Sequence, residues 1–218
     1  RFWFQDMIFV GLIIAAAMPA GISIVFLSDL LDGEPAKALV VTTFTHILSP
    51  IITPAIVWLF ANKIVHIEFM GMVILIIKLV IVPLILAQAV KHFKNYKKIE
   101  KAGNVFNIVL LFLLVWSSIA LARAPILFNL NQFIISMMVV LLLLILTIIF
   151  CVWFGKNRKE DITWAISGIY KNFTLASVVA ITMFGPVAMV GAAAYSLLDN
   201  ALLIPIRWIA IKANQAKK

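Results

Sequence analysis

Four ionisable side chains, His46, Lys78, Lys171 and Asp199, stand far inside long apolar runs. A lysine held at the centre of a hydrocarbon layer costs several kcal/mol or more unless something compensates it. The densest such chemistry is in SGIYKNFTLA, residues 167–176, where Asn172 follows Lys171. Lys171 and Asp199 fall at similar depth on segments joined by the short break Phe184-Gly185-Pro186, so they are expected to pair or to titrate against each other. That pair reads either as a structural ion pair or as a cation held ready for a ligand. His46 follows Thr42 by four residues and Thr43 by three, which puts all three on one side of a helix. Such a histidine can titrate near neutral pH, donate to a substrate carboxylate, or simply be a satisfied packing residue. A half-helix beginning near Asn172 would aim backbone N–H groups and a positive dipole end at an anion.

The elements that carry these residues follow from composition. The chain has 218 residues, of which 64% are hydrophobic and 12% charged. Soluble domains are about half apolar and a quarter charged, so the expected class is an all-α polytopic membrane protein. The single cysteine, Cys151, excludes an internal disulfide and a multi-cysteine metal site. The net charge of +9 is explained by basic loops beside anionic lipid, with no nucleic acid as partner. The opening RFWFQDMIFVGL has no basic stretch ahead of a short apolar core and cleavage site, so no signal peptide is read there. The chain starts at Arg1 and is expected to lack an N-terminal portion. There is no HExxH, no paired-aspartate motif and no GxSxG, so an enzyme is not expected, and no cofactor is implied.

Spanning about 30 Å of hydrocarbon takes roughly 20 apolar residues. Seven runs qualify, at about 7–28, 36–60, 68–90, 103–123, 130–154, 161–183 and 187–212. The breaks between them carry charge, proline, glycine or asparagine. The bases Lys37, Lys91 to Lys101, Lys156 to Lys159 and those from Arg207 to Lys218 fall on one side of a seven-crossing arrangement. Arg1, Lys63 and Arg123 fall on the other. The positive-inside rule then places the C-terminus in the cytoplasm of a plasma (inner) membrane protein. Two helices look interrupted, the first at Pro19 and Gly21, the sixth at Gly168, Lys171 and Asn172. Each is followed by a long helix. Three crossings separate the two units, so the second is inverted relative to the first. This predicts one membrane domain over 1–218: a broken-helix unit at 7–60, intervening helices at 68–123, and an inverted unit at 130–212 whose broken helix is 161–183. Discontinuous helices in inverted halves point to a transporter's midplane site.

AMPAGISIVFLSDLLDGEPAKALVVTTFTHILSPIITPAIVWLFA resembles the fourth and fifth helices of the bile acid:sodium symporter family, most specifically in VVTTFTHILSPIITPAI. IEFMGMVILIIKLVIVPLILAQAV is similar to the next helix. SGIYKNFTLASVVAITMFGP is similar to the ninth, and AAAYSLLDNALL, with Asp199 and Asn200, to the tenth. The resemblance implies helices four to ten of a ten-helix inverted-repeat carrier of organic anions, with core and panel domains. It makes 68–123 panel-like and keeps Lys78 off the substrate. It puts Thr42 on a sodium-ligand position, and Ala38 where relatives have a second hydroxyl. The first-crossing polar pair falls near Ser23 or on Ile24 and Val25. A glutamate position falls on Ile166 or Ser167, and a glutamine on Lys171, with Asn172 retained. These departures weigh against Na+ coupling and leave H+ coupling open, with the Lys171 ammonium standing where relatives hold sodium. AMPAG and the helix after it also resemble the last pair of auxin efflux carriers, although five further predicted helices follow here. The expected function is secondary active transport of a small or amphipathic organic anion, with an auxin-carrier-like permease or a channel or structural membrane protein as the alternatives.

Overall fold

A computed structural model describes residues 5–91, 109, 112–113, 116–117, 120, 123–154 and 157–215. The basic stretch 92–101 and most of the run expected at 103–123 lie outside the described residues. The described elements are helical: α1 (Asp6–Ala17), α2 (Ile24–Leu30), α3 (Pro35–Ala61), α4 (Phe69–Lys91), α5 (Leu130–Trp153), α6 (Arg158–Ile169), α7 (Phe173–Phe184) and α8 (Met189–Gln215), with a 3-10 turn at Pro186–Ala188. Four segments among them are long and apolar enough to cross a membrane: Pro35–Ala61, Phe69–Leu86, Leu130–Cys151 and Pro186–Leu203. Large apolar side chains such as Phe44, Ile51, Trp58 and Phe60 stand exposed along α3, as a lipid-facing surface requires.

Local chemistry sets the ends. Pro35 opens α3 at a position where its missing N–H costs nothing. The Asn157 side chain accepts from the N–H groups of Lys159 and Glu160 and caps α6. Gly185 closes α7 with φ +84°, a left-handed conformation that glycine alone adopts freely. That residue makes the α7–α8 connection the tight hairpin expected from Phe184-Gly185-Pro186.

Both interruptions are present. α1 has 12 residues and α7 has 12, each about 18 Å long and too short to cross alone. The buried centre is α1, with Ile8, Val10 and Ile14 fully enclosed, packed against α3, α7 and α8. It lies unusually close to the 3-10 turn and the start of α8: a Cβ on Gly11 would sit 1.8 Å from the Ala188 carbonyl oxygen, and one on Gly191 2.3 Å from the Leu12 nitrogen. Meanwhile α2 packs on α3 and α6, and α5 packs on α6 and α8.

One expected break residue is corrected. Gly168 lies inside α6, and the chain leaves the helix at Tyr170–Asn172 instead. Gly168 serves packing, since a Cβ there would meet Cys151 Sγ at 2.7 Å and Thr147 Cγ2 at 2.9 Å on α5. The cysteine sulfur can give way, but Thr147 is β-branched and stiff at χ1. Gly168→Ala is therefore expected to destabilise the fold by about 1–3 kcal/mol, and Cys151→Ala in the same chain should restore part of the loss. Thermal melting of the two variants in detergent checks this.

Candidate functional site

The two breaks meet. Gly21 N–H donates to the Tyr170 carbonyl at 2.8 Å, and Asn172 N–H donates to the Pro19 carbonyl at 2.9 Å. Ala20 and Lys171 thereby form an antiparallel bridge, isolated among the described helices. An interrupted helix leaves backbone groups without partners, and these must be satisfied elsewhere. Across the crossing the Thr53 hydroxyl donates to the Ala17 carbonyl at 2.8 Å, and Ala20 N–H donates to Thr45 Oγ1 at 3.3 Å. Helix α3 thus closes the open end of α1 with hydroxyls. Gly21 is needed because a Cβ there would meet the Tyr170 ring at 2.7 Å.

A cavity of about 720 Å³ opens beside this crossing. Its walls are mostly apolar, from Ile22, Ile47, Leu79, Leu84 and Val178. Polar groups enter from both broken helices and from α3: Ser23, Thr42, Thr43, His46, Lys171 and Asn172 all line it. The expected site residues Ser167, Asp199 and Asn200 do not line it. Ser167 and Asp199 are buried behind it, and Asn200 is half-buried.

A directed hydrogen-bond chain runs through the cavity wall. Leu175 N–H donates to Asn172 Oδ1 at 3.1 Å, which makes Asn172 the N-cap of α7. That turns the Asn172 amide nitrogen toward His46 Nε2, at 3.2 Å. The other ring nitrogen, Nδ1, lies 2.8 Å from the Thr42 carbonyl oxygen. A carbonyl only accepts, so Nδ1 carries the hydrogen and Nε2 accepts from Asn172. His46 is thus a fully satisfied, neutral imidazole in the wall of the cavity. The hydroxyls of Thr42 and Thr43 donate back to the Ala38 and Leu39 carbonyls, at 2.9 and 2.8 Å, which leaves their oxygen lone pairs for other partners. Among the described residues no group of three or more His, Cys, Asp or Glu side chains is placed to share a metal ion.

The Lys171–Asp199 ion pair anticipated from depth is not formed. Ion pairs within 4.0 Å join Lys37 to Glu34 and to Glu160. The Lys171 main-chain N–H, rather than its ammonium, faces the Asp199 carboxyl group. The ammonium lies on the side of Cys151. The physical reason is the break itself: Lys171 sits in the non-helical bridge to Ala20, which turns its N–H inward to α8 and leaves its ammonium on the side of α5. Asp199 Oδ1 accepts from Asn200 Nδ2 at 2.9 Å, and Asn200 Oδ1 accepts from the Tyr170 hydroxyl at 3.2 Å. Tyr170 was missed from sequence. A tyrosine beside Lys171 in an apolar run is a signal that could have found it, because a buried phenol seeks a partner for its hydroxyl.

A second missed contact fastens the α2–α3 turn to α6. Lys37 bridges Glu34, at 2.9 Å, and Glu160. Ser28 Oγ and Thr163 Oγ1 lie 3.1 Å apart, and Glu34 N–H donates to Thr163 Oγ1 at 2.7 Å. The turn after the first broken helix and the start of the second therefore occupy one end of the molecule.

Apolar exposed helices around a polar crossing define an integral membrane protein, and the family comparison defines its class. The chain belongs to the SBF-like CPA transporter family, whose model matches residues 1–198. This is a family of transporters rather than of enzymes, and it agrees with the bile acid:sodium symporter-like resemblance of the sequence. A Bacillus subtilis (strain 168) protein named uncharacterized sodium-dependent transporter YocS is 30% identical over 100 residues. The match covers 46% of this chain and 31% of that protein, so the chain spans about a third of the length of this relative.

Proposed function

We propose that this protein is a secondary active transporter of a small or amphipathic organic anion, working by alternating access around the crossing. The observation that carries the reading is the cavity's composition: apolar walls, with Lys171, His46 and Asn172 gathered where the two breaks touch. A lysine ammonium and the N-terminus of α7 together attract an anion, and the apolar walls suit an amphipathic body. In this reading the described helices belong to one membrane domain with seven crossings. The α1–α3 and α6–α8 units are its two inverted repeats, and 68–123 is panel-like. The antiparallel bridge between the breaks supports the inversion, as does the shared end of the α2–α3 turn and α6. Basic loops place the C-terminus in the cytoplasm and the protein in the plasma (inner) membrane.

The coupling ion is a proton in our reading, because the Lys171 ammonium stands where relatives hold sodium and Ala38 and Ser167 offer no second hydroxyl or carboxylate at the expected positions. Sodium at Thr42 is the second reading. The name of the Bacillus relative includes sodium dependence, and the free lone pairs of Thr42 and Thr43 could serve a cation. Uptake of a panel of radiolabelled organic anions by the full-length protein in proteoliposomes, under an imposed proton or sodium gradient, decides between them. The expected result is saturable uptake driven by protons. Conduction without saturation, or no uptake under either gradient, would overturn the carrier reading.

A further inference from the structure

We propose that Asp199 is a proton-binding site, a carboxyl whose occupancy decides whether Lys171 is free to hold an anion. This inference rests on the carrier reading for its consequence, and on the geometry behind the crossing for the site itself.

Asp199 is wholly enclosed, with 0% of its surface exposed. Oδ1 is held by Asn200 Nδ2, but Oδ2 has no hydrogen-bond partner. Ser196 Oγ, one turn earlier on the same face of α8, is also buried and without a partner. A carboxylate sealed from water with one oxygen unpaired is costly unless a proton or a cation completes it. Oδ2 and Ser196 Oγ are buried oxygens without a partner on this stretch of α8, and Ser167 Oγ on α6 is in the same state. A single proton on Oδ2 completes the carboxyl without further ligands.

Among the described residues no ion pair within 4.0 Å reaches Asp199. The elements packed against α8 are α1, α5, α7 and the 3-10 turn. Their titratable residues are Asp6 on α1 and Cys151 on α5, with none on α7 or the turn. The break contributes Tyr170 and Lys171. On α8 itself stand Tyr195, which senses the Asp199 charge, and Arg207 and Lys212 more than two turns further along.

Asp199 is wired to the second break at two points. The Lys171 main-chain N–H faces its carboxyl group, and Asn200 links it to the hydroxyl of Tyr170. With a proton on Oδ2 the group is neutral and exerts no pull on Lys171, a residue of the cavity lining. Without the proton, a buried negative charge lies against the backbone of Lys171. The flexible lysine arm can then fold back to it. Asp199 and a bound anion therefore compete for Lys171, so proton and anion bind together. By reciprocity, anion binding must draw in a proton.

Two measurements on the full-length protein test this. Infrared difference spectra with isotope-labelled aspartate should show the carbonyl band of a protonated, enclosed aspartic acid near neutral pH, and Asp199→Asn should remove it. This readout needs no substrate, and the label reports on the unaltered protein even if the variant folds poorly. In proteoliposomes a gradient of about one pH unit should raise steady-state anion accumulation roughly tenfold for one coupled proton. In Asp199→Asn the ratio of uptake with and without that gradient should fall to about 1, whatever the variant's absolute rate. An ionised Asp199 in the spectra would overturn the proposal. So would a gradient ratio that survives Asp199→Asn, or a ratio that follows sodium instead of protons. Absence of all anion uptake beside a protonated Asp199 band would instead fail the carrier reading and leave the proton site standing.

Discussion

Lys171→Gln is expected to lower saturable anion uptake roughly 10- to 100-fold, the range set by losing one hydrogen bond to a charged group. Initial rates over a range of substrate concentrations, at matched protein levels, measure it. The loss should fall mainly on apparent affinity, because Lys171 is the one lysine or arginine in the cavity lining among the described residues. Stability should not fall with it. The ammonium has no carboxylate partner within 4.0 Å, so the neutral variant leaves no buried charge unpaired. Lys171→Arg should recover part of the uptake, since charge is kept while the bulkier planar fork differs from a compact ammonium. Unchanged uptake in Lys171→Gln would remove the lysine from the anion site. Reduced melting temperature with reduced uptake would make it a structural residue.

Much of the architecture was legible because a bilayer demands long apolar runs. The runs read at 36–60, 68–90 and 130–154 became Pro35–Ala61, Phe69–Lys91 and Leu130–Trp153. The first break was also legible, since Pro19 and Gly21 are backbone exceptions that a regular helix resists. The second break was located through Gly168, Lys171 and Asn172, and of these Lys171 and Asn172 lie in it. A glycine in a helix can mark a break or a close neighbour, and sequence does not distinguish them; here Cys151 and Thr147 made it a neighbour. The true break at Tyr170–Asn172 contains neither proline nor glycine. It is held by hydrogen bonds to Pro19 and Gly21, about 150 residues away in sequence, and no local pattern reports such a partner.

The same limit explains the site. Thr42, Thr43, His46, Lys171 and Asn172, chosen by depth and helix face, and Ser23, implied by the family resemblance, all line the cavity, whereas Ser167, Asp199 and Asn200 do not. Depth and helix face do not say which way a side chain leaves a broken helix. Depth alone paired the Lys171 ammonium with Asp199, whereas the break turned its N–H inward instead. Tyr170 and the Lys37–Glu160 contact were missed for a related reason: each partner is ordinary in its own segment, and the chemistry exists only where two distant segments touch.

Asn172→Ala should show how far the crossing behaves as one unit. The side chain has two tasks, capping α7 through Oδ1 and holding His46 through its amide nitrogen. Alanine removes both. Losing the cap costs about 1 kcal/mol, and stranding His46 Nε2 in a partly buried wall costs about 1 kcal/mol more. A total near 2 kcal/mol should appear as a lower melting temperature, with uptake reduced on the order of tenfold or more as the α7 terminus loosens. Asn172→Ser separates the tasks, since serine caps well but is too short to reach His46, and it should recover about half of the lost stability. His46→Ala alone should cost about as much as the serine variant. The double variant His46→Ala with Asn172→Ala should then cost less than the sum of its parts, by about 0.5–1 kcal/mol, because each single change already breaks the shared bond. Full additivity in that cycle would mean that the 3.2 Å contact between the two side chains carries no energy, and that the cap alone holds the half-helix against the cavity.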